Sequence, residues 1–210
     1  MNARIDHTTT SGTFSLDGQT HEVDNNVWVI GDDHECVVVD APHDVTAILE
    51  LVGDRDVSAI IATHGHDDHV RFAPELADAV GAPILLHPDD SVLWRMTHPN
   101  REPDRMLADG EVIGVAAGTG LRVLHTPGHA PGAVSLYSAE LNTVFTGDTL
   151  FAGGPGATGR SYSDFDVIIE SISNRLFTLP DDTIVRPGHG PSTTIATERP
   201  QLRAWKDRGY

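Results

Sequence analysis

The stretch "THGHDDH", residues 63–69, places three histidines and two aspartates within seven positions. It begins at the carboxyl end of "VSAIIAT" (57–63), an apolar run that predicts a buried strand. A loop at a strand end can direct several side chains at one point. Imidazole and carboxylate donors together suit zinc or another first-row metal, whereas calcium and magnesium prefer oxygen ligands. The stretch therefore predicts a metal-binding loop, and the alternative is a solvated loop that happens to be rich in histidine.

Three later segments offer the same donors, each at the end of a predicted strand. They are "HTPGHAPG" with His129, "FTGDTLF" with Asp148 and "RPGHG" with His189. The surrounding glycines and prolines indicate tight loops in which the backbone passes close to a ligand. Their presence favours the metal-binding interpretation over the solvated loop.

The chain alternates strands and helices and contains no low-complexity linker. In its first half, strands are predicted at 26–31, 36–40, 57–63 and 83–87, and helices at 45–53 and 75–81. From about residue 111 strands dominate until "SDFDVIIESISNRLFTLP", which predicts a helix with Ser163 as N-cap and Pro180 as its end. A final strand and a short helix in "ERPQLRAW" follow. The two halves predict two sheets packed face to face with helices outside, in one domain over 1–210 with a junction near 110.

Composition limits the classes of partner. With 210 residues and 39% hydrophobic content the chain can bury a substantial core. A formal net charge of −17 opposes nucleic-acid binding. The first residues lack the apolar core of a signal peptide, and no run is long enough to cross a membrane, so we expect a cytoplasmic protein without membrane association. The single cysteine, Cys36, cannot form an internal disulfide and is expected to be a buried structural residue.

The order H-x-H-x-D-H, His, Asp, His resembles the metallo-β-lactamase-fold hydrolase superfamily. The resemblance extends from "NNVWVIGDD" to "PGHG". It implies an α/β fold, the four-layer αββα sandwich, and two adjacent divalent metal ions, with zinc as the first expectation and iron or manganese as alternatives. It assigns one ion to His64, His66 and His129, the other to Asp68, His69 and His189, and a bridging position to Asp148.

Two residues near these ligands have alternative roles. Asp40 resembles the buried aspartate that steadies the metal loops in this family, and its other interpretation is a cap ahead of "APHD". For His125, a buried hydrogen-bonding role is favoured over metal ligation. The remaining histidines, including His87, are expected to be surface or packing residues.

The segment "GPGATGRS" (154–161) has the glycine spacing of a phosphate-binding loop but carries Arg160 where that motif needs lysine, so nucleotide binding is rejected. In glyoxalase-II-like proteins a similar segment follows the bridging aspartate, with an arginine and an aromatic nearby. Arg160 and Tyr162 occupy those places here. Arg160 either braces the loop through carboxylates, which we favour, or contacts the substrate.

Within the superfamily the chain is most similar to glyoxalase II and its short bacterial, actinobacterial-type relatives. The resemblance implies hydrolysis of thioesters of a low-molecular-weight thiol by a hydroxide that bridges the metals, with Asp68 orienting it. Lys206 is the only lysine, and the basic C-terminal region that holds glutathione in full-length glyoxalase II is not seen after "PGHG". We therefore expect a different small-molecule thiol carrier, with acyl-mycothiol as a candidate. Two alternatives stay open, together with the oligomeric state: a persulfide dioxygenase with one iron on His64, His129 and Asp148, and a lactonase.

Overall fold

The computed structural model describes residues 3–209, which form two six-stranded sheets and a small hairpin. The strands of the first sheet, in spatial order, are β1 (Arg4–Leu16), β2 (Gln19–Gly31), β3 (Glu35–Val39), β4 (Asp56–Ile61), β5 (Ile84–Leu86) and β6 (Arg105–Met106). The second sheet has the spatial order β14 (Thr193–Thr194), β13 (Ile184–Pro187), β10 (Thr143–Gly147), β9 (Val134–Ser138), β8 (Gly120–His125) and β7 (Val112–Gly114). The hairpin pairs β11 (Leu150–Phe151) with β12 (Gly154–Pro155).

The first sheet begins with a long hairpin that the sequence pattern left unassigned before residue 26. β1 and β2 pair antiparallel over their full lengths, from Arg4 with Gly31 to Leu16 with Gln19. The turn is Asp17-Gly18, and both residues have positive φ, of 53° and 72°. An Asp-Gly pair in a two-residue turn is a strong hairpin signal. It was hidden because β1 is polar and mostly lacks the apolar alternation of a half-buried strand.

Helices cover the outer faces. They are α1 (Val45–Val52), α2 (Asp67–Val70), α3 (Ala73–Val80), α4 (Ser91–Thr97), α5 (Phe165–Ser171), α6 (Ile195–Glu198) and α7 (Leu202–Arg208). Short 3-10 turns lie at Pro88–Asp90, Ala116–Gly118 and Arg199–Gln201, and α5 continues as a π-helical turn at Ile172–Leu176. Within residues 3–209, none of these helices combines the length and hydrophobicity needed to span a bilayer.

The predicted N-cap of the helix after residue 163 is wrong by one position. The side chain of Asp164 accepts a hydrogen bond from Val167 N at 3.0 Å and so caps α5. The hydroxyl of Ser163 instead donates to Arg160 O at 2.7 Å. Serine is thus used to close the preceding turn, and the stronger acceptor begins the helix.

Alternate residues of each central strand belong to different layers of the core. In β3, Cys36 and Val38 pack against the helices of the first half, whereas Val37 and Val39 pack between the two sheets. In β10, Val144 faces the helices of the second half and Phe145 faces the other sheet. Because both faces of these strands are buried, they are continuous apolar runs such as "CVVV". The layer order is therefore helix, sheet, sheet, helix, the mixed α/β fold expected from the sequence.

Candidate metal centre

The seven residues predicted as metal ligands lie together at the carboxyl ends of four strands. They follow β4 (His64, His66, Asp68, His69), β8 (His129), β10 (Asp148) and β13 (His189). Six of the seven are buried, and His189 is partly buried. The sheet ends therefore bring residues up to 125 positions apart into one cluster at the rim between the two sheets.

His64, His66 and His129 form one compact group, which we call the imidazole set. The Nδ1 atom of His66 lies 3.0 Å from Nε2 of His64 and 3.0 Å from Nε2 of His129. The remaining ring nitrogen of His66, Nε2, is buried without a hydrogen-bond partner. Three imidazole nitrogens therefore face one point.

Asp68, His69 and His189 form a second group, which we call the acidic set. The Nε2 atoms of His69 and His189 are 3.2 Å apart, and Oδ2 of Asp68 lies 3.3 Å from His189 Nε2. Asp148 lies between the sets. Its Oδ2 is 3.5 Å from His129 Nε2 and 3.3 Å from His189 Nε2, and its buried Oδ1 has no hydrogen-bond partner.

The outer nitrogens of three imidazoles are bound by fixed acceptors. Nδ1 contacts Asp40 Oδ2 at 2.8 Å in His69, Ala157 O at 2.9 Å in His129, and Asp24 O at 2.7 Å in His189. Such partners orient each ring with Nε2 directed inward, so that Nε2 is the atom that would bind an ion once it carries no proton.

Asp40 connects the acidic set to the first sheet. Besides contacting His69, its carboxylate accepts hydrogen bonds from Thr63 N and Thr63 Oγ1, at 2.8 and 2.9 Å. Asp40 has a φ of 63°, in the left-handed region that aspartate tolerates better than most residues. Its three hydrogen bonds hold it in this conformation, next to the ligand loop.

Asn25 contacts the acidic set and His43 contacts Asn25, and sequence reasoning missed both. The buried Nδ2 of Asn25 donates to Asp68 O at 2.9 Å and to Asp68 Oδ2 at 3.1 Å. Its Oδ1 accepts from His43 Nε2 at 2.8 Å. The signal available in the sequence was the polar pair "NN" in front of an apolar strand, because a polar side chain buried at a strand end needs partners.

The electrostatics of the two sets are opposite. Burial lowers the pKa of all three rings of the imidazole set, that of His66 to about 3, so this set is neutral. Although burial opposes it, Asp148 and Asp68 raise the pKa of His189 to about 10. Burial also opposes the charge of Asp68, yet His69 and His189 lower its pKa to about 2. The acidic set therefore combines ionised carboxylates with positive charge.

These residues fit metal ions. Ligand atoms around a tetrahedral zinc lie about 3.4 Å apart, because each zinc–nitrogen bond is about 2.0–2.1 Å long. The inward Nδ1 of His66 lies 3.0 Å from each of the other two inward nitrogens of the imidazole set, and the unpartnered Oδ1 of Asp148 is unusual for a buried polar atom. Nitrogen donors alone in one set and mixed donors in the other suit first-row divalent metals.

Close packing shapes the loops that carry the ligands. A Cβ atom at Gly188 would lie 2.5 Å from Asp148 Oδ1 and 2.7 Å from His69 Cε1, so only glycine fits beside the ligands. The opening stretch is less loop-like than expected, because Asp67–Val70 forms the short helix α2. The turn of this helix directs Asp68 and His69 toward His189, the third member of the acidic set.

One expectation for residues around the ligands changes, that for His125. His87 is a buried packing residue whose ring stacks on that of His125, with centroids 4.1 Å apart and an interplanar angle of 15°. His125 is partly exposed rather than buried, and its Nε2 contacts Pro131 O at 2.9 Å. Asp89 lies within 4 Å of both rings. Ligand atoms of His87, Asp89 and His125 lie within 4.8 Å of one another, but this group is separate from the seven candidate ligands and more exposed than the imidazole set.

A cavity of about 360 Å³ is lined by five of the seven candidate ligands, namely His66, Asp68, His129, Asp148 and His189. Phe14 and Val23 from the β1–β2 hairpin and Phe151 supply its apolar walls. The guanidinium of Arg160 lies 5.0 Å from the centroid of the Phe14 ring and also lines the cavity. Tyr162 is 45% exposed and is not among the lining residues. The cavity thus joins the candidate ligands to aromatic surface and one cation.

Comparison with known proteins agrees with this geometry. A family model described as the metallo-beta-lactamase superfamily matches residues 22–189. The chain is 32% identical over 188 residues to "Hydroxyacylglutathione hydrolase GloC" of Haemophilus influenzae, covering 82% of this chain and 87% of the relative. It is 30% identical over 189 residues to "Probable metallo-hydrolase YqgX" of Bacillus subtilis, covering 84% of this chain and 90% of the relative.

Solved structures give the same result. The protein TTHA1623, crystallised in a di-iron-bound form, superposes with a TM-score of 0.75 at 30% sequence identity. The match covers 90% of this chain and 96% of that one. The fold is therefore shared with a protein that has been crystallised in a di-iron-bound form.

Proposed function

The chain belongs to the metallo-β-lactamase superfamily, and from this premise we propose that it is a dinuclear metal-dependent hydrolase of thioesters of a low-molecular-weight thiol. The observation that carries the proposal is the convergence of His64, His66 and His129, and of Asp68, His69 and His189, on either side of Asp148 below an open cavity. The name of the Haemophilus influenzae relative, a hydroxyacylglutathione hydrolase, supports the thioester class.

The ligand roles follow the two sets. The imidazole set would hold one ion and the acidic set would hold the other. Asp148 would contribute to the binding of both ions. When bound, such ions polarise a carbonyl oxygen and lower the pKa of water so that it attacks at neutral pH. Zinc fits the nitrogen-rich donors, and iron and manganese are accommodated by the same atoms.

Asp68 is the residue of this chain that would orient the attacking water. Its carboxylate lines the cavity, and its lowered pKa keeps it an acceptor at neutral pH. Asn25 fixes that carboxylate through its 3.1 Å hydrogen bond. A carboxylate held in one orientation reduces the reorganisation needed when water attacks the thioester carbon.

The cavity favours a thiol carrier with few negative charges. Of the residues lining it, Arg160 is the only arginine or lysine, and Asp24 also lines it. Glutathione carries two carboxylates, which this lining would pair poorly. A carrier rich in hydroxyl groups, such as mycothiol, needs fewer cations. The aromatic rings of Phe14 and Phe151 would cover the acyl group and exclude bulk water.

The test is a substrate comparison with the purified protein loaded with zinc, iron or manganese. Matched acyl-mycothiol and acyl-glutathione thioesters and a lactone are assayed together with metal content. We expect two ions per chain and faster turnover of the mycothiol thioester. Negligible rates on both thioesters would refute the proposal, and oxygen uptake on a persulfide with one iron per chain would support a dioxygenase instead.

A further inference from the structure

Asp90 is a fully buried aspartate that lies outside the candidate ligands, in the turn between β5 and α4. Its Oδ2 accepts a hydrogen bond from Gly65 N at 2.7 Å, and its Oδ1 accepts one from Gly132 N. Burial raises the pKa of its carboxyl group to about 7, although the two amides oppose the rise. A buried carboxyl group without a cation is costly, so stability alone accounts poorly for an aspartate here.

The two amides belong to the two loops that carry the imidazole set. Gly65 stands between His64 and His66, and Gly132 follows His129 by three residues. The first loop leaves the first sheet and the second leads into the second sheet. One carboxylate therefore links the loops across the boundary between the sheets.

The packing around this link permits little movement. A Cβ at Gly65 would lie 2.9 Å from Leu93 Cβ, and one at Gly132 would lie 2.6 Å from Asp90 N. A backbone hydrogen bond from Val134 N to Thr63 O, at 2.8 Å, joins the same loops at a second point. Two attachment points fix the relative orientation of the loops, whereas one would allow rotation about it.

We propose that Asp90 is a positioning residue that sets the spacing of the imidazole set and thereby the metal affinity of that set alone. The inference rests on the proposed dinuclear function. The acidic set is held by other groups, because Asp40 contacts His69 and Asn25 contacts Asp68. Loss of Asp90 should therefore weaken metal binding by the imidazole set and leave metal binding by the acidic set unchanged.

The experiment replaces Asp90 with asparagine, which keeps the size of the side chain but turns an NH₂ group toward one of the two amide donors. Metal-free protein is titrated with Zn²⁺ against a chromophoric chelator, which yields the affinity of each position. We expect D90N to bind the ion of the imidazole set, the first position, about 10- to 100-fold more weakly, which is the range seen when groups behind metal ligands are altered. Its affinity for the ion of the acidic set, the second position, should be unchanged. D90E, which keeps the charge but adds a methylene, should show the same selective loss.

The matched control is Glu198→Gln. Glu198 is also a buried carboxylate that accepts from a glycine amide, Gly153 N at 3.0 Å, but it contacts none of the candidate ligands. E198Q should leave both affinities unchanged. Thermal unfolding of the metal-free variants separates a general loss of stability from a change in metal affinity.

Three results would overturn the positioning role. They are equal loss at both positions, unchanged affinities in D90N and D90E, and failure of both variants to fold. In the first two cases a wild-type protein that binds two ions leaves the proposed function intact. A wild-type protein that binds no ion removes the proposed function and this inference together.

Discussion

The imidazole set and the acidic set lie side by side but are organised by different forces. The imidazole set consists of neutral rings whose loops are joined through the backbone and through Asp90. The acidic set contains the ionised Asp68 together with His69 and His189, whose pKa values are raised by neighbouring carboxylates. Its members also bind Asn25 and Asp40 directly.

This difference in charge indicates which kind of change should alter the metal affinity of each set. Neutral nitrogens attract a cation only over short distances, so the imidazole set depends on loop geometry. The acidic set attracts a cation through net charge and must release protons to accept it. Changes of geometry should therefore weaken the first position, and changes of charge or pH the second.

The largest effect is expected at Asp148, which cannot be assigned to one set alone. Its carboxylate lies within 3.5 Å of His129 and of His189, so it belongs to both sets. Removing one partner of a buried charged group costs about 3–5 kcal/mol. We expect Asp148→Ala to lower metal affinity at both positions by at least about a hundredfold and to abolish nearly all hydrolysis, measured by metal content and thioester turnover.

The control for this variant is Asp207→Ala. Asp207 is an exposed acid in α7 whose ion pair with Arg203 is a surface contact of little energetic weight. A D148A protein that retained both ions and the full rate would show that Asp148 belongs to neither set.

The second prediction concerns Asp40→Asn and should show the reverse selectivity of the Asp90 variants. An asparagine oxygen can still accept from Thr63 N, but its NH₂ group can no longer accept the proton of His69 Nδ1. We expect a 10- to 100-fold weaker second position and an unchanged first position, from the same chelator titration. If D40N and D90N weakened the same position, the division into two sets would be wrong.

The third prediction uses pH. In the metal-free protein the pKa of His189 is about 10, so at neutral pH this ring is protonated and must lose its proton to bind an ion. The pKa values of all three rings of the imidazole set are lowered, that of His66 to about 3, so this set has no proton to lose at neutral pH. Affinity of the second position should rise about tenfold per pH unit for each proton released, while that of the first stays level.

Cobalt titrations at several pH values between about 6 and 9, together with proton release followed by an indicator dye, measure both dependences. Equal slopes at the two positions would mean that charge does not distinguish the sets. Because D90N leaves the acidic set intact, it should retain the steep dependence of the second position.

The sequence alone predicted the layered α/β fold because strands buried on both faces read as apolar runs. It also predicted the seven residues that the structure brings together, because histidines and aspartates follow such runs in an order that resembles the superfamily. The groups behind them were harder to find. Asp90 stands in "HPDD" next to the exposed Asp89, and no local feature separates the two. Asn25 and Asp90 gain their roles only when distant loops meet, and the polar strand β1 gains its place only by pairing with β2.

The smallest effect is expected at Arg160, which contacts neither set. Its guanidinium lies over Phe14 at the cavity wall and is exposed, and cation–π contacts at exposed sites are worth about 0.5–1 kcal/mol. We expect Arg160→Met to raise KM about two- to fivefold for acyl-glutathione, whose carboxylates need a cation, and less for acyl-mycothiol, with kcat and both metal affinities unchanged. Arg122→Met removes the same charge from an exposed position on β8 and should change none of these values. If R160M lowered kcat or released an ion, Arg160 would brace the ligand loops instead of contacting substrate. The cavity wall would then contribute to holding the metal ligands in place.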